Sequence, residues 1–339
     1  MKKKIIFLTV FACLFTACSA DKTNKKECNC DYIKSGYYQL IYEADVAWLS
    51  GDRNTVFEKI SEAKSLCPLI EQVIYYEISR YIDLLTERKQ YDEAQSYIEE
   101  LVRDYGYTIE HLEKANYFSE LEKNIDWNGF KLHLSKLSED FYSKVDTALV
   151  AQLIEMQRID QKVRKNYYSK RWTTDSMVMM HKTDSINEQK IKYIFDNYGY
   201  PNDKLVGHAN THRLPPFFFN VVNIHTMLMH FDDTAYFRPK LLEFIRNGEC
   251  SPDDLGSFID SYQRRDTANL KFIYGIYDNS LDKIKDFPNL NNRRKAIGMP
   301  TLEMEQKRDS LIKIQYAPKI GELEVIVNGR GDTIEIKHF

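Results

Sequence analysis

Between Ile33 and Gly106 apolar residues recur every three to four positions, and turn formers interrupt them at short intervals. The pattern predicts four helices, over about 33–49, 53–66, 70–88 and 91–105. Breaks are expected at Ser50-Gly51-Asp52, at Cys67-Pro68 and at Lys89-Gln90. In the fourth helix Tyr91, Ala94, Tyr97, Ile98 and Leu101 make one apolar stripe at i, i+3, i+4 spacing. Residues 107–145 lose this regularity and read as transitional, with a turn at Asn124-Ile125-Asp126-Trp127-Asn128-Gly129.

The helical period returns at Asp146, which is expected to start a helix carrying Leu149, Leu153, Met156 and Ile159 towards Tyr167. A further helix is expected over about 184–198, with Ile191, Ile194, Phe195 and Tyr198 on one face. Gly199 would end it and Pro201 would prevent its continuation. Residues 217–229 are apolar nearly all round, the signature of a central buried helix. Shorter helices follow at about 239–247, 252–263, 267–275, 288–296 and 301–314, with Pro239 in the first turn of its helix. Near the C-terminus the period changes from helical to alternating: Leu323, Val325 and Val327, then a Gly-rich turn, then Ile334 and Ile336. That is a β-hairpin signal. The expected fold class is mainly α, with helical hairpins in front, a helical C-terminal domain and a short β-hairpin tail.

The first residues follow a different logic. Lys2, Lys3 and Lys4 precede thirteen mostly apolar residues, Ile5 to Ala17, and then Cys18. This is a positive n-region and an apolar h-region of secretory length. A helix of that length reaches only about 20 Å, short of a bilayer core of about 30 Å. The stretch Phe15-Thr16-Ala17-Cys18 resembles a bacterial lipobox, with Phe15 where Leu is commoner. The resemblance implies cleavage before Cys18 and acylation of its thiol and new amine. Two or more acyl chains would hold the protein stably at a membrane, which one chain does not.

The organisation that follows is a signal peptide at 1–17, a polar tether at 18–32, a helical-hairpin region at 33–126, a helical domain at 146–302 and the tail at 319–339. Ser19 after the cysteine agrees with sorting to the outer membrane, so the expected location is the bacterial envelope. The expected partners are the membrane, through lipid on Cys18, and a protein or peptide.

Composition narrows the function classes. The 339 residues carry 47 Lys+Arg against 50 Asp+Glu, a net charge of -3, too little positive charge for a nucleic-acid binder. Loss of the signal peptide removes three lysines and no acid, which takes the charge from -3 to -6. The 23 Tyr and 18 Phe fall mostly at helical spacing and read as core. With Cys13 removed and Cys18 acylated, Cys28, Cys30, Cys67 and Cys250 remain in an oxidising compartment. Cys28-Asn29-Cys30 is a redox pair, a two-ligand metal clip or plain linker; a local or intermolecular disulfide is its expected fate.

Candidate chemistry gathers in a His-rich stretch: His208, His212, His225 and His230 lie within 23 residues. His208 and His212, at i and i+4, would share a helix face and suit a metal ion. Ala209 stands where a metalloprotease motif needs glutamate. His230 falls at the end of the expected buried helix, where the dipole favours a protonated ring, and Asp232 is close enough to orient it. No Gly-rich phosphate loop or nucleophile elbow occurs, and no cofactor is expected.

Two resemblances add to this. The segments Val56…Ala63…Pro68 and Tyr91…Ala94…Leu101 resemble second helices of tetratricopeptide repeats, although Val56 and Ala94 lie 38 residues apart rather than the usual 34 or so. Such an array implies a concave face free to take a peptide. From about Ile159 to Leu302 the chain resembles the bacterial family called domain of unknown function 6624. The matching stretches are Asp160-Gln161-x-x-Arg164, Asp184 with Asn187 opening a helix, Gly199-Tyr200-Pro201, Val206-Gly207, His230-Phe231-Asp232, Tyr274-Gly275 and Asn292-Arg293-Arg294. Asp260-Ser261 and Ile276-Tyr277 depart from its pattern.

The resemblance implies a fold unit and candidate positions: Asp160, Arg164, His230, Asp232, Asp260 and Tyr274 would meet in one polar cleft or in a buried network. A binding or scaffold role in the envelope is the leading expectation. The alternative is a hydrolase-like enzyme using His230 and Asp232, with a metal through His208 or His212.

Overall fold

Where apolar residues recur at helical spacing in the first third, the chain is helical: α1 spans Tyr37–Leu49, α2 Arg53–Leu66, α3 Glu77–Glu87 and α4 Tyr91–Tyr105. The computed structural model describes residues 30–72, 75–115, 118–169, 173–208, 234–263, 271–277, 280–320, 323–327 and 333–338. Asp52 starts α2 by accepting the backbone N–H of Thr55. Gly106 ends α4 at a φ of 72°, with the Phe141 ring and the backbone of Gly207 so near that a Cβ would collide with both.

The third helix starts later than its apolar pattern suggests. Residues 70–72 are not helical: Tyr37 Oη accepts from Ile70 N and Tyr105 Oη from Glu71 N, each at 3.1 Å, and the Glu71 carboxylate accepts Ile78 N and Ser79 N in the first turn of α3.

The stretch expected to be transitional is helical as well. It contains α5 (Ile109–Leu112), α6 (Phe118–Asn124) and α7 (Trp127–Tyr142). Asp126 is not the middle of a turn but the cap of α7, accepting from Gly129 N at 3.2 Å. Trp127, Phe130, Leu134, Ser138 and Phe141 form the buried stripe of α7.

Asp146 does start α8 (Thr147–Ser169), accepting from Ala148 N and Leu149 N. Its partner α9 (Thr174–Asn197) begins ten residues before the expected position, capped by Thr173. Asp184 and Asn187 therefore sit in the middle of a helix rather than opening one.

After α10 (Asp203–Val206) come α11 (Thr234–Arg246), α12 (Pro252–Gln263), α13 (Leu290–Ala296) and α14 (Leu302–Ile320). Pro239 lies inside α11, not in its first turn. The described part of the expected helix at 267–275 is irregular, and Phe272 makes an isolated parallel bridge to Ile284. The expected buried helix at 217–229 lies outside the described residues. Strands β1 (Leu323–Val327) and β2 (Thr333–His338) pair antiparallel, with Leu323 opposite His338. The protein is mainly helical, with fourteen α-helices among the described residues. None of these is long and apolar enough to cross a membrane.

The helices pack as antiparallel neighbours, α1 on α2 and α3 on α4, with α7 against α4 and α8 against α9. Val56 and Ala94, the positions with repeat-like spacing, are fully buried in the second helix of each front pair. One hydrophobic core runs from Tyr32 to Met299. Helix α1 is buried on nearly every side, since α14 covers the face that α2 leaves open. Tyr38 Oη donates to Ile245 O at 2.7 Å and Gln39 Nε2 to Met299 O at 2.9 Å. The α1 face that an open repeat array would offer to a peptide is thus occupied by this chain's own second half.

At the centre of that packing Asp45 is only 1% exposed. Arg80 of α3 and Arg308 of α14 each reach its carboxylate at 2.6 Å. A buried charge is tolerated only when it is paired, and removing one side of such a set strands the rest.

The tether ends sooner than its polarity suggests. Cys30 is joined to Cys67, not to Cys28, so the local pairing expected of Cys28-Asn29-Cys30 gives way to a long-range disulfide closing a 37-residue separation. Loop-closure entropy alone makes such a link worth about 4 kcal/mol. Tyr32 is already in the core, its hydroxyl donating to Pro68 O and its amide to Arg246 O.

Asp45→Ala is expected to lower the free energy of unfolding by about 3 kcal/mol. Lys123→Ala, at the exposed pair with Glu120, should cost under about 1 kcal/mol. Urea unfolding of both variants followed by circular dichroism checks the contrast.

Candidate functional site

The first polar cluster lies where α8 and α9 face each other. After Met156 the buried position on α8 passes to Asp160 rather than to Ile159, which is only half-buried. Arg164, one turn on, sets Nη1 at 2.8 Å from Asp160 Oδ1 and donates from Nη2 to Asp184 Oδ1 at 2.9 Å. Both carboxylates are sealed from solvent and the guanidinium nearly so. Asn187 and Glu188 continue this polar seam along α9, with Lys192 paired to Glu188 at 2.8 Å. Two acids clamp one arginine here. The arrangement locks the two helices in register and presents no group to solvent.

The second cluster explains why residues 271–277 are not helical. Asp260, sealed on α12, accepts the amides of Ile273 (2.8 Å), Tyr274 (3.0 Å) and Ile276 (2.9 Å). Burial pushes its carboxyl above the ordinary range, while those backbone donors pull it back down. Arg294, fully buried on α13, fixes the other side of the loop. It donates to Tyr274 O, Pro300 O and Glu305 Oε2, each at 2.6 Å. Its neighbour Arg293 reaches back to Ile273 O and Asp286 O. Asp260, Tyr274, Arg293 and Arg294 therefore do come together, as the frame that holds an irregular backbone.

His208 lies beyond the end of α10, outside any helix, and His212 lies outside the described residues. It is 2% exposed, and Asp203 Oδ2 is 2.7 Å from its Nδ1. The ring stacks on Tyr107 with centroids 3.9 Å apart and meets His111 edge-on. Nε2 is buried with no hydrogen-bond partner. Burial and the neighbouring His208 lower the His111 pKa to about 4. No group of three or more His, Cys, Asp or Glu side chains that could hold a metal occurs among the described residues. A His–Asp pair is present, then, but it is a different pair from His230 and Asp232, and it is closed over by aromatic rings.

A third set gathers at the start of α12. Asp253 and Asp254 open α12, and each also meets a tyrosine from elsewhere in the chain. Asp253 accepts from Tyr75 at 3.2 Å, and Asp254 from Tyr200 at 2.9 Å and from the thiol of Cys250 at 3.4 Å. Desolvation raises the Asp254 carboxyl to about 6. Nearby, Glu71 rises to about 6 for the same reason although it accepts from Ile78 N, Ser79 and Tyr107. Burial also drives the Cys250 thiol well up, which makes it inert.

His230, Asp232, His212, His225 and Cys18 lie outside the described residues. Sequence reasoning missed Asp45, Asp203, Glu71 and the Cys30–Cys67 pairing. Each partner of these residues is at least five positions away, and no short motif marks any of them. Comparison with known protein families, with characterised proteins and with solved structures returns no match for this chain.

Asp254 gives a measurable pH signature. Its folded-state pKa, about 6, exceeds the ordinary 3.8, so it favours folding at low pH. That contribution fades as pH rises from about 4 to about 6. Asp254→Asn keeps an acceptor for Tyr200 and cannot ionise. It is expected to exceed the parent protein's stability at pH 7 by about 2 kcal/mol and to match it near pH 4. Urea midpoints across that range test the sign.

Proposed function

We propose that this chain is a lipid-anchored protein of the bacterial cell envelope whose helical body acts by binding a protein partner rather than by turning over a substrate. The observation that carries the reading is the Cys30–Cys67 disulfide. Structural disulfides persist in oxidising compartments and are rare in the cytosol, which agrees with export directed by the apolar stretch before Cys18. The position of the bond also suits a tethered protein. It fixes Cys30 to the end of the α2 region, twelve residues after the acylation position, so a pull on the tether reaches the core through a covalent link.

The polar residues support the same reading. Asp160, Arg164, Asp184, Asp260 and Arg294 all have structural partners, and none is more than 9% exposed. The alternative, a hydrolase-like activity, rests on His230 and Asp232. The resemblance of the second half to domain of unknown function 6624 rests on the order of its short motifs. Because α14 already covers α1, a partner would meet the body on other surfaces.

Two measurements on cells bear on the anchoring. Radiolabelled palmitate is expected to enter the parent protein and not Cys18→Ala, and only the former should partition into the membrane fraction. In the exported protein, maleimide-polyethylene glycol should leave Cys30 and Cys67 unmodified until a reductant is added. Soluble, label-free parent protein would overturn the anchor; free thiols at Cys30 and Cys67 would overturn the export.

A further inference from the structure

The α8/α9 hairpin outruns the core. Its helices have 23 and 24 residues, each about 35 Å long at 1.5 Å per residue. Among the described residues, the fully buried apolar side chains of the main core stop at Met156 on α8 and resume only at Ile191 on α9. The clamp of Asp160, Arg164 and Asp184 marks the limit. Beyond it lies the outer end of the hairpin, about 10 Å of each helix.

That end is polar at Asn166, Ser169, Thr173, Thr174 and Asp175, but the next turn of α9 is not. Met177, Val178 and Met179 are consecutive and 40%, 56% and 56% exposed. Three successive positions on a helix cover about 200° of its circumference, so this one turn exposes apolar side chains round more than half its girth. Lys162 and Lys165 on α8 and Lys182 on α9 are exposed within about two turns of that end, against one exposed acid, Asp175. The local balance is positive in a chain whose net charge is -3. Exposed apolar side chains with lysines on the same helix pair are the chemistry of a segment that enters the headgroup layer of an anionic bilayer: the apolar side chains leave water and the lysines meet lipid phosphates.

We propose that the outer end of the α8/α9 hairpin docks on an anionic membrane surface, with Met177, Val178 and Met179 entering the headgroup region and Lys162, Lys165 and Lys182 pairing with lipid phosphates. A second copy of the chain or a protein groove would meet an apolar stripe equally well, but would give no reason for the lysines. The contact goes beyond acylation of Cys18 and does not depend on it. Where an anchor is present it raises the effective concentration of the bilayer, so weak docking suffices to fix the orientation of the body.

The test uses the chain from Ser19, which has no acylation site, with vesicles of phosphatidylglycerol and phosphatidylethanolamine or of phosphatidylcholine alone. Co-flotation with the anionic vesicles is expected, at least tenfold weaker with phosphatidylcholine and weakened by salt. Val178→Asp with Met179→Asp should cut binding at least tenfold while leaving the thermal midpoint unchanged, since both side chains are exposed. Leu132→Asp, equally exposed but on α7, should bind like the parent. Absence of flotation, binding indifferent to lipid charge, or an undiminished Val178→Asp/Met179→Asp double variant would overturn the proposal. So would sedimentation showing a dimer that this double variant dissolves, which would assign the patch to a second copy.

Discussion

Everything in this molecule is arranged around a carboxylate that has no access to water. Asp45 sits on α1, and α1 is buried almost all round. An isolated charge there would cost far more than a domain's net stability. It is tolerated because α3 supplies Arg80 on one side and α14 supplies Arg308 on the other. The two arginines come from positions 35 and 263 residues away, so satisfying one side chain requires the front of the chain and its last helix to close on each other. The hydrogen bonds of Tyr38 to Ile245 and of Gln39 to Met299 run along the same interface.

A second theme is the use of side chains to finish irregular backbone. Tyrosine hydroxyls accept the amides of Ile70 and Glu71, and Asp260 accepts three amides of the 271–277 loop. Arg294 caps carbonyls on the other side of that loop. Buried peptide groups must be paired, and where no helix or sheet pairs them a side chain has to. Several tyrosines serve this end: Tyr32, Tyr37, Tyr38 and Tyr105 fill core volume and bring a hydroxyl to a backbone group.

This bears on function. Charged residues spaced like motif positions invite a catalytic reading, yet Asp160, Arg164, Asp260 and Arg294 are spent on holding helices and loops together. What the fold leaves for contact with other molecules is its outward surface, where Met177, Val178 and Met179 are exposed on α9, and the tether that the disulfide joins to the core.

The helical class, the end of α1, the boundaries of α2 and α4, the start of α8 at Asp146 and the stop at Gly199 were all legible in the chain. They depend on neighbours within four residues: caps, apolar period and glycine at positive φ. The local signals misled where a residue served a distant partner. Asp126 looked like a turn and is a cap, because Trp127 and Phe130 find a core to enter. Residues 70–72 looked helical and are not: Tyr37 and Tyr105 hold this backbone in place while the Glu71 carboxylate takes amides in the first turn of α3. Asp160 displaced Ile159 from the buried face because Arg164 and Asp184 neutralise it there. Cys30 passed over the nearby Cys28 for Cys67. By itself, then, the sequence determined the helical class and those helix ends that rest on a local cap or break, since those free energies are short-range. Which charges are buried, which cysteines join and which face of α1 is covered were decided only in the tertiary structure, because each depends on a group brought close by folding.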